Sequence, residues 1–110
     1  MSIKVVRVNK AQTNFTQYIG RAWAGMLESP FHNPFHVGKD GTRREVLEKF
    51  AAYWYAPERV ALRKTALIMI QNDDILGCWC RDSSVSEDLY CHGDIIAGYL
   101  NWRRAEKLLF

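Results

Sequence analysis

In Ile75-Leu76-Gly77-Cys78-Trp79-Cys80 and, ten residues on, Cys91-His92-Gly93-Asp94-Ile95-Ile96, a short apolar run gives way to a polar interval and then to apolar residues at helical spacing. The first run follows the breaker Asn72-Asp73-Asp74 and reads as a strand over residues 75–80. In the second, Ile95, Ile96, Tyr99, Leu100 and Arg103 mark the inner stripe of a helix over residues 92–108. A strand that passes through a loop into a helix is a building unit of α/β domains.

Working outward, residues 3–9 (Ile-Lys-Val-Val-Arg-Val-Asn) are rich in β-branched side chains and predict a strand. Gly20, Gly25, Gly38, Gly41, Pro30 and Pro34 make residues 10–41 a region of turns, with short strands expected at 17–19 and 35–37. Thr42-Arg43-Arg44-Glu45 matches a capping box, in which hydroxyl and carboxylate satisfy orphan backbone N–H groups reciprocally. A helix is therefore expected from Thr42, with Val46, Leu47, Phe50, Ala51 and Trp54 on its apolar face. Pro57 suits the first turn of a second helix reaching about Ile70. Residues 65–70 would serve equally as a strand, since a short apolar run does not decide between the two.

A chain of 110 residues supports one core, so residues 1–110 are expected to form a single domain. Its 48% hydrophobic and 25% charged residues are those of an ordinary globular protein. A net charge of +3, with scattered basic residues, argues against a nucleic-acid partner. No run reaches the roughly 20 apolar residues of a membrane span, and Met1-Ser2-Ile3-Lys4-Val5-Val6 lacks the regions of a signal peptide. All 3 cysteines lie between residues 78 and 91, two of them one residue apart. An odd number so placed argues against a disulfide framework and for the reducing cytoplasm.

The series Tyr18-Ile19-Gly20-Arg21, Ser29-Pro30, Asn33-Pro34-Phe35, Gly38, Asp40-Gly41-Thr42-Arg43, Gly77-Cys78-Trp79-Cys80 and Cys91-His92-Gly93-Asp94 resembles, in that order, the family catalogued as domain of unknown function 4326. That family consists of small proteins frequent in phages and bacteria, and the resemblance spans nearly the whole chain. Family members usually have a shorter gap between the cysteine motifs, and often Gly where this chain has His32. The resemblance implies a host-cytoplasmic location if the chain is phage-encoded, and implies little about activity. In addition, Gly38-Lys39-Asp40-Gly41-Thr42-Arg43-Arg44-Glu45 is similar to a degraded Gly-Gly-x-Gly-Thr-x-x-Glu signature. That signature belongs to Rossmann-like nucleotide-binding proteins of the lysine-decarboxylase-like or phosphoribohydrolase type. The expected fold is thus a small single-domain α/β protein, a Rossmann-like sheet flanked by about three helices.

Ligand-binding candidates follow from these positions. Glycines allow close backbone approach and a helix N-terminus offers N–H groups to a phosphate, which brings in Gly41, Thr42 and Arg43. Arg21, after Gly20 and a short strand, suits a bidentate phosphate contact. Asn33 either forms the turn before Pro34 or reads a base edge. His92, Gly93 and Asp94 open a helix beyond a strand end, where α/β domains bind ligands; Asp94 as a helix cap is the ligand-free alternative. Trp23, Trp54 and Trp79 are stacking candidates, with core packing expected for two of them.

Cys78, Cys80, Cys91 and His92 supply the number and types of ligand that zinc takes. Their spacing is poor for it: a Cys-x-Cys on a strand sets its thiols about 6–7 Å apart on one face. Packed cysteines are the preferred account, with zinc and a Cys91 thiolate beside His92 as alternatives. The expected function is binding of a nucleotide or nucleotide-derived small molecule, with sequestration of a signalling nucleotide as its use. A hydrolase of an N-glycosidic or phosphate bond, for which only Glu45 and Asp94 offer carboxylates, is one alternative. A zinc-stabilised protein-interaction module is another, and a homo-oligomer is expected because small cores gain from burying more surface.

Overall fold

The computed structural model describes residues 3–7, 15–22, 27–78 and 91–109. Its elements run β1 (Lys4–Arg7), β2 (Gln17–Tyr18), α1 (Arg43–Tyr55), a 3-10 turn (Pro57–Arg59), α2 (Val60–Met69), β3 (Ile75–Cys78) and α3 (His92–Leu109). The strands form a three-stranded sheet in the order β1-β3-β2, parallel throughout. Val5 pairs with Leu76 and Val6 with Gly77, while Gln17 and Tyr18 pair with the same Leu76 and Gly77 from the other side. Parallel neighbours need a long crossover, and α1 with α2 supplies it between β2 and β3. Leu76 and Gly77, on the central strand, are accordingly buried.

The capping box forms as read: Thr42 Oγ1 accepts from Glu45 N at 3.2 Å and Glu45 Oε1 accepts from Thr42 N at 3.0 Å. These bonds hold the Glu45 carboxyl below its usual range. Val46, Phe50 and Trp54 are the buried stripe of α1. Pro57 opens the 3-10 turn instead of α2 itself, and residues 65–69 are helical. Neither α1 nor α2 has a basic residue in its last turn. Distant arginines take that place. Arg63 Nη1 donates to Trp54 O at 2.6 Å and Ala56 O at 2.9 Å, and Arg104 donates to Ile70 O and to Asn72 Oδ1. Both satisfy carbonyls left without helical partners.

Residues 8 and 9 of the first expected strand, and 79 and 80 of the third, lie outside the described residues. Residues 35–37 form a loop, not a strand. The backbone there is satisfied locally: Phe35 N–H donates to Asn33 Oδ1, Phe35 O accepts from Arg21, and His36 N–H donates to Asp40 Oδ2. An alternating apolar pattern has no sheet edge left to join once these bonds are made.

The core is one cluster in which Ile19 and Leu76 from the sheet region meet Phe50 and Trp54 of α1 and Ile96 and Leu100 of α3. Phe31 and Ile70, in connecting segments, are also fully enclosed. Phe50 stacks on Trp54 with ring centroids 6.1 Å apart and meets His92 edge-on at 5.2 Å. Trp54 in turn meets Tyr99 edge-on at 5.7 Å. This aromatic row fastens α1 to α3. Replacing Phe50 with Ala opens a void at its centre, with an expected loss of about 3–5 kcal/mol. Urea unfolding of the variant is expected to show that loss as a lower midpoint at unchanged slope.

Candidate functional site

Beyond the carboxyl end of β2 the chain passes through Ile19, Gly20 and Arg21, and beneath it lies the first turn of α3. His92 Nε2 sits 2.7 Å from Ile19 O. A carbonyl only accepts, so the ring is the Nε2–H tautomer and Nδ1 is its acceptor. The ring is buried, and that burial is the main reason its pKa falls below the usual 6.5. The Arg21 charge works in the same direction. Cys91, the bond to Ile19 O and the Asp94 carboxylate oppose it.

Above this floor opens a cavity of about 520 Å³ lined by residues 20–22, Asn33, Phe35, His36, Val37, Arg43, Val46, Leu47 and His92. Arg21 shapes one wall: Nε donates to Asn33 O at 3.1 Å and Nη2 to Phe35 O at 2.6 Å. A guanidinium has five N–H donors, so these bonds leave Arg21 capacity for a ligand. Asn33 is buried, with Oδ1 accepting from Phe35 N at 2.9 Å. Arg43, in the first turn of α1, brings a second cation to the lining, and no carboxylate belongs to it among the described residues. Arg21 forms no ion pair among the described residues. The site therefore combines two cationic side chains, amide and imidazole polarity, and an apolar wall of Phe35, Val46 and Leu47. Such a lining suits an anion carrying a flat or apolar portion.

Five of the sequence candidates thus converge: Gly20, Arg21, Asn33, Arg43 and His92. The others sit beside the cavity in helix caps. Gly41 has φ +133°, and a Cβ there would fall 2.9 Å from Glu45 Cβ, so the turn into α1 requires glycine. Thr42 is the N-cap of that helix. Gly93 packs on the sheet, where a Cβ would lie 2.8 Å from Ile19 Cδ1 and 2.9 Å from Val5 Cγ1. Asp94 Oδ2 accepts from Cys91 N at 2.8 Å, and Cys91 Sγ accepts from Gly93 N at 3.2 Å. Cys91 is buried and caps α3 together with Asp94.

Of the other zinc candidates, Cys80 and the side chain of Cys78 lie outside the described residues. Among the described residues no group of three or more His, Cys, Asp or Glu is placed to hold a metal ion. Trp54 is core; Trp23 and Trp79 are outside the described residues. Phe35, His36, Val37, Val46 and Leu47 were missed as lining. The periodic signal assigns Val46 and Leu47 to a helix face without saying that the face also borders a cavity.

Residues 3–102 match the family described as Domain of unknown function (DUF4326). The chain belongs to this family. No curated protein and no solved structure matches it. Among the described residues of this family member, no helix is long and apolar enough to cross a membrane.

Two outcomes follow for the DUF4326 site. Gly93→Ala is expected to cost about 1–3 kcal/mol through overpacking against Ile19 and Val5, measured as a lower unfolding midpoint. The buried, neutral His92 makes stability depend on pH. The unfolded chain protonates this ring near 6.5, the folded chain only at lower pH, so between those values the unfolded state holds more protons. The contribution is complete above pH 6.5 and is lost as pH falls. Urea titrations across this window are expected to show a steeper acid-side loss for the natural chain than for His92→Gln.

Proposed function

We propose that this DUF4326 member binds a nucleotide or nucleotide-derived small molecule in the cavity above His92. The observation that carries this reading is that Arg21 and Arg43 both line the one cavity beside an apolar wall, with no carboxylate among the described lining residues. Two cations facing an apolar pocket attract an anion whose other end is flat and weakly polar, and phosphate with a base meets that description. Position supports it too. In a Rossmann-like arrangement ligands lie beyond the carboxyl ends of parallel strands, close to helix N-termini, as this cavity does.

Binding without turnover is the form of the function we favour, with sequestration of a signalling nucleotide as its use. Hydrolysis of an N-glycosidic or phosphate bond calls for acid and base groups at the reacting atoms. The two carboxylates that the sequence offered, Glu45 and Asp94, instead accept backbone N–H bonds at helix starts.

Thermal unfolding in the presence of a nucleotide panel tests the proposal. A ligand at about a hundred times its Kd adds roughly 2.7 kcal/mol, which for a domain of this size raises Tm by on the order of 10 °C. The natural chain is expected to show such a rise with at least one nucleotide and Arg43→Ala to lose most of it, with the nucleotide recovered unchanged. No rise with any nucleotide would overturn the proposal.

A further inference from the structure

The polar lining of the cavity is rich in hydrogen-bond donors, and Asn33 is the residue at which that becomes selective. Resting on the nucleotide reading above, we propose that Asn33 selects bases that carry an exocyclic oxo group (guanine, hypoxanthine, uracil) over bases that carry an exocyclic amino group in its place (adenine, cytosine).

An asparagine amide ordinarily serves as donor or acceptor by turning about its last torsion. Here the turn is blocked. Oδ1 accepts from Phe35 N at 2.9 Å, and the Asn33 main-chain carbonyl is held by Arg21 Nε at 3.1 Å. The residue is 7% exposed and lines the cavity. Reversing the amide would set its NH₂ against the Phe35 N–H and leave that N–H without an acceptor. Nδ2 is therefore the group Asn33 presents to a ligand, and among the described residues nothing accepts from it.

The consequence for base recognition is direct. Asparagine reads adenine through both ends of its amide, Oδ1 accepting from the amino group and Nδ2 donating to the ring nitrogen. With Oδ1 committed to Phe35, only the donating half remains. A base offering an oxo acceptor satisfies Nδ2 at that edge, whereas a base with an amino group there sets donor against donor at that position and keeps only the acceptors elsewhere on its ring. The surroundings reinforce the bias, because Arg21 and Arg43 are donors as well. Phe35, held edge-on by Tyr53 at 6.1 Å, and the aliphatic Val46 and Leu47 are placed to cover the face of the base.

Calorimetric titration of the full chain with GMP, IMP, UMP, AMP and CMP, at one ionic strength, tests the inference, with Asn33→Asp alongside. Aspartate retains an oxygen for the Phe35 N–H and so keeps the turn, while its second oxygen replaces the donor by an acceptor. The natural chain is expected to bind the oxo nucleotides at least about tenfold more tightly than their amino counterparts. Asn33→Asp is expected to collapse or invert that ratio. Equal binding of GMP and AMP by the natural chain, or a uniform loss for all five nucleotides in Asn33→Asp, overturns the selection while leaving nucleotide binding intact. Failure of every nucleotide to bind the natural chain overturns both. The natural chain's own GMP-to-AMP ratio decides the matter even if the variant does not fold.

Discussion

The buried hydrogen bond from His92 Nε2 to Ile19 O, 2.7 Å long, is the constraint on which the site depends. It ties the first residue of α3 to the residue that leaves β2, elements separated by most of the chain. Gly20 and Arg21 follow Ile19 directly, so the same bond fixes the height of the cavity floor. The bond requires a ring that carries its proton on Nε2. Burial, which disfavours the charged form, keeps that ring neutral. Phe50 meets the imidazole edge-on and so transmits its position to α1, from which Arg43 reaches the cavity. The close seating of α3 on the sheet leaves no room for a side chain at Gly93.

Arginine acts here mainly on the backbone. Arg21, Arg63 and Arg104 each donate to main-chain carbonyls outside their own element, and none of the three forms an ion pair among the described residues. Carbonyls satisfy guanidinium hydrogens without cancelling the charge. At Arg63 and Arg104 that charge suits the negative ends of helix dipoles. At Arg21 it is left on the cavity wall. A residue that pins the Asn33–Phe35 turn therefore also adds positive charge to the pocket, and the turn it pins orients the Asn33 amide in the lining.

How much of this the sequence carried can be judged residue by residue. Thr42 and Glu45 announced α1 because a capping box is a relation between residues three apart, closed entirely within one turn. The strands at residues 4–7 and 75–78 and the stripe of α3 were likewise visible as local periodicity. The loop at 35–37 was misread because its apolar alternation is overruled by partners at Arg21 and Asp40 that no local pattern reveals. Gly41, Thr42, Gly93 and Asp94, ligand candidates in the sequence, are placed by the structure in caps and close packing at the starts of α1 and α3.

By itself, then, the sequence determined the starts of α1 and α3 and the strands at residues 4–7 and 75–78, the family to which the chain belongs, and its mild positive charge balance. Those properties rest on nearest neighbours along the chain and on composition. Only the tertiary structure decided that Arg21, Asn33, Arg43 and His92 share one cavity and that the Asn33 Oδ1 is taken up by the Phe35 N–H. These are consequences of bonds between segments far apart in sequence, chiefly His92 to Ile19 and Arg21 to Asn33 and Phe35, whose geometry exists only once the core has closed.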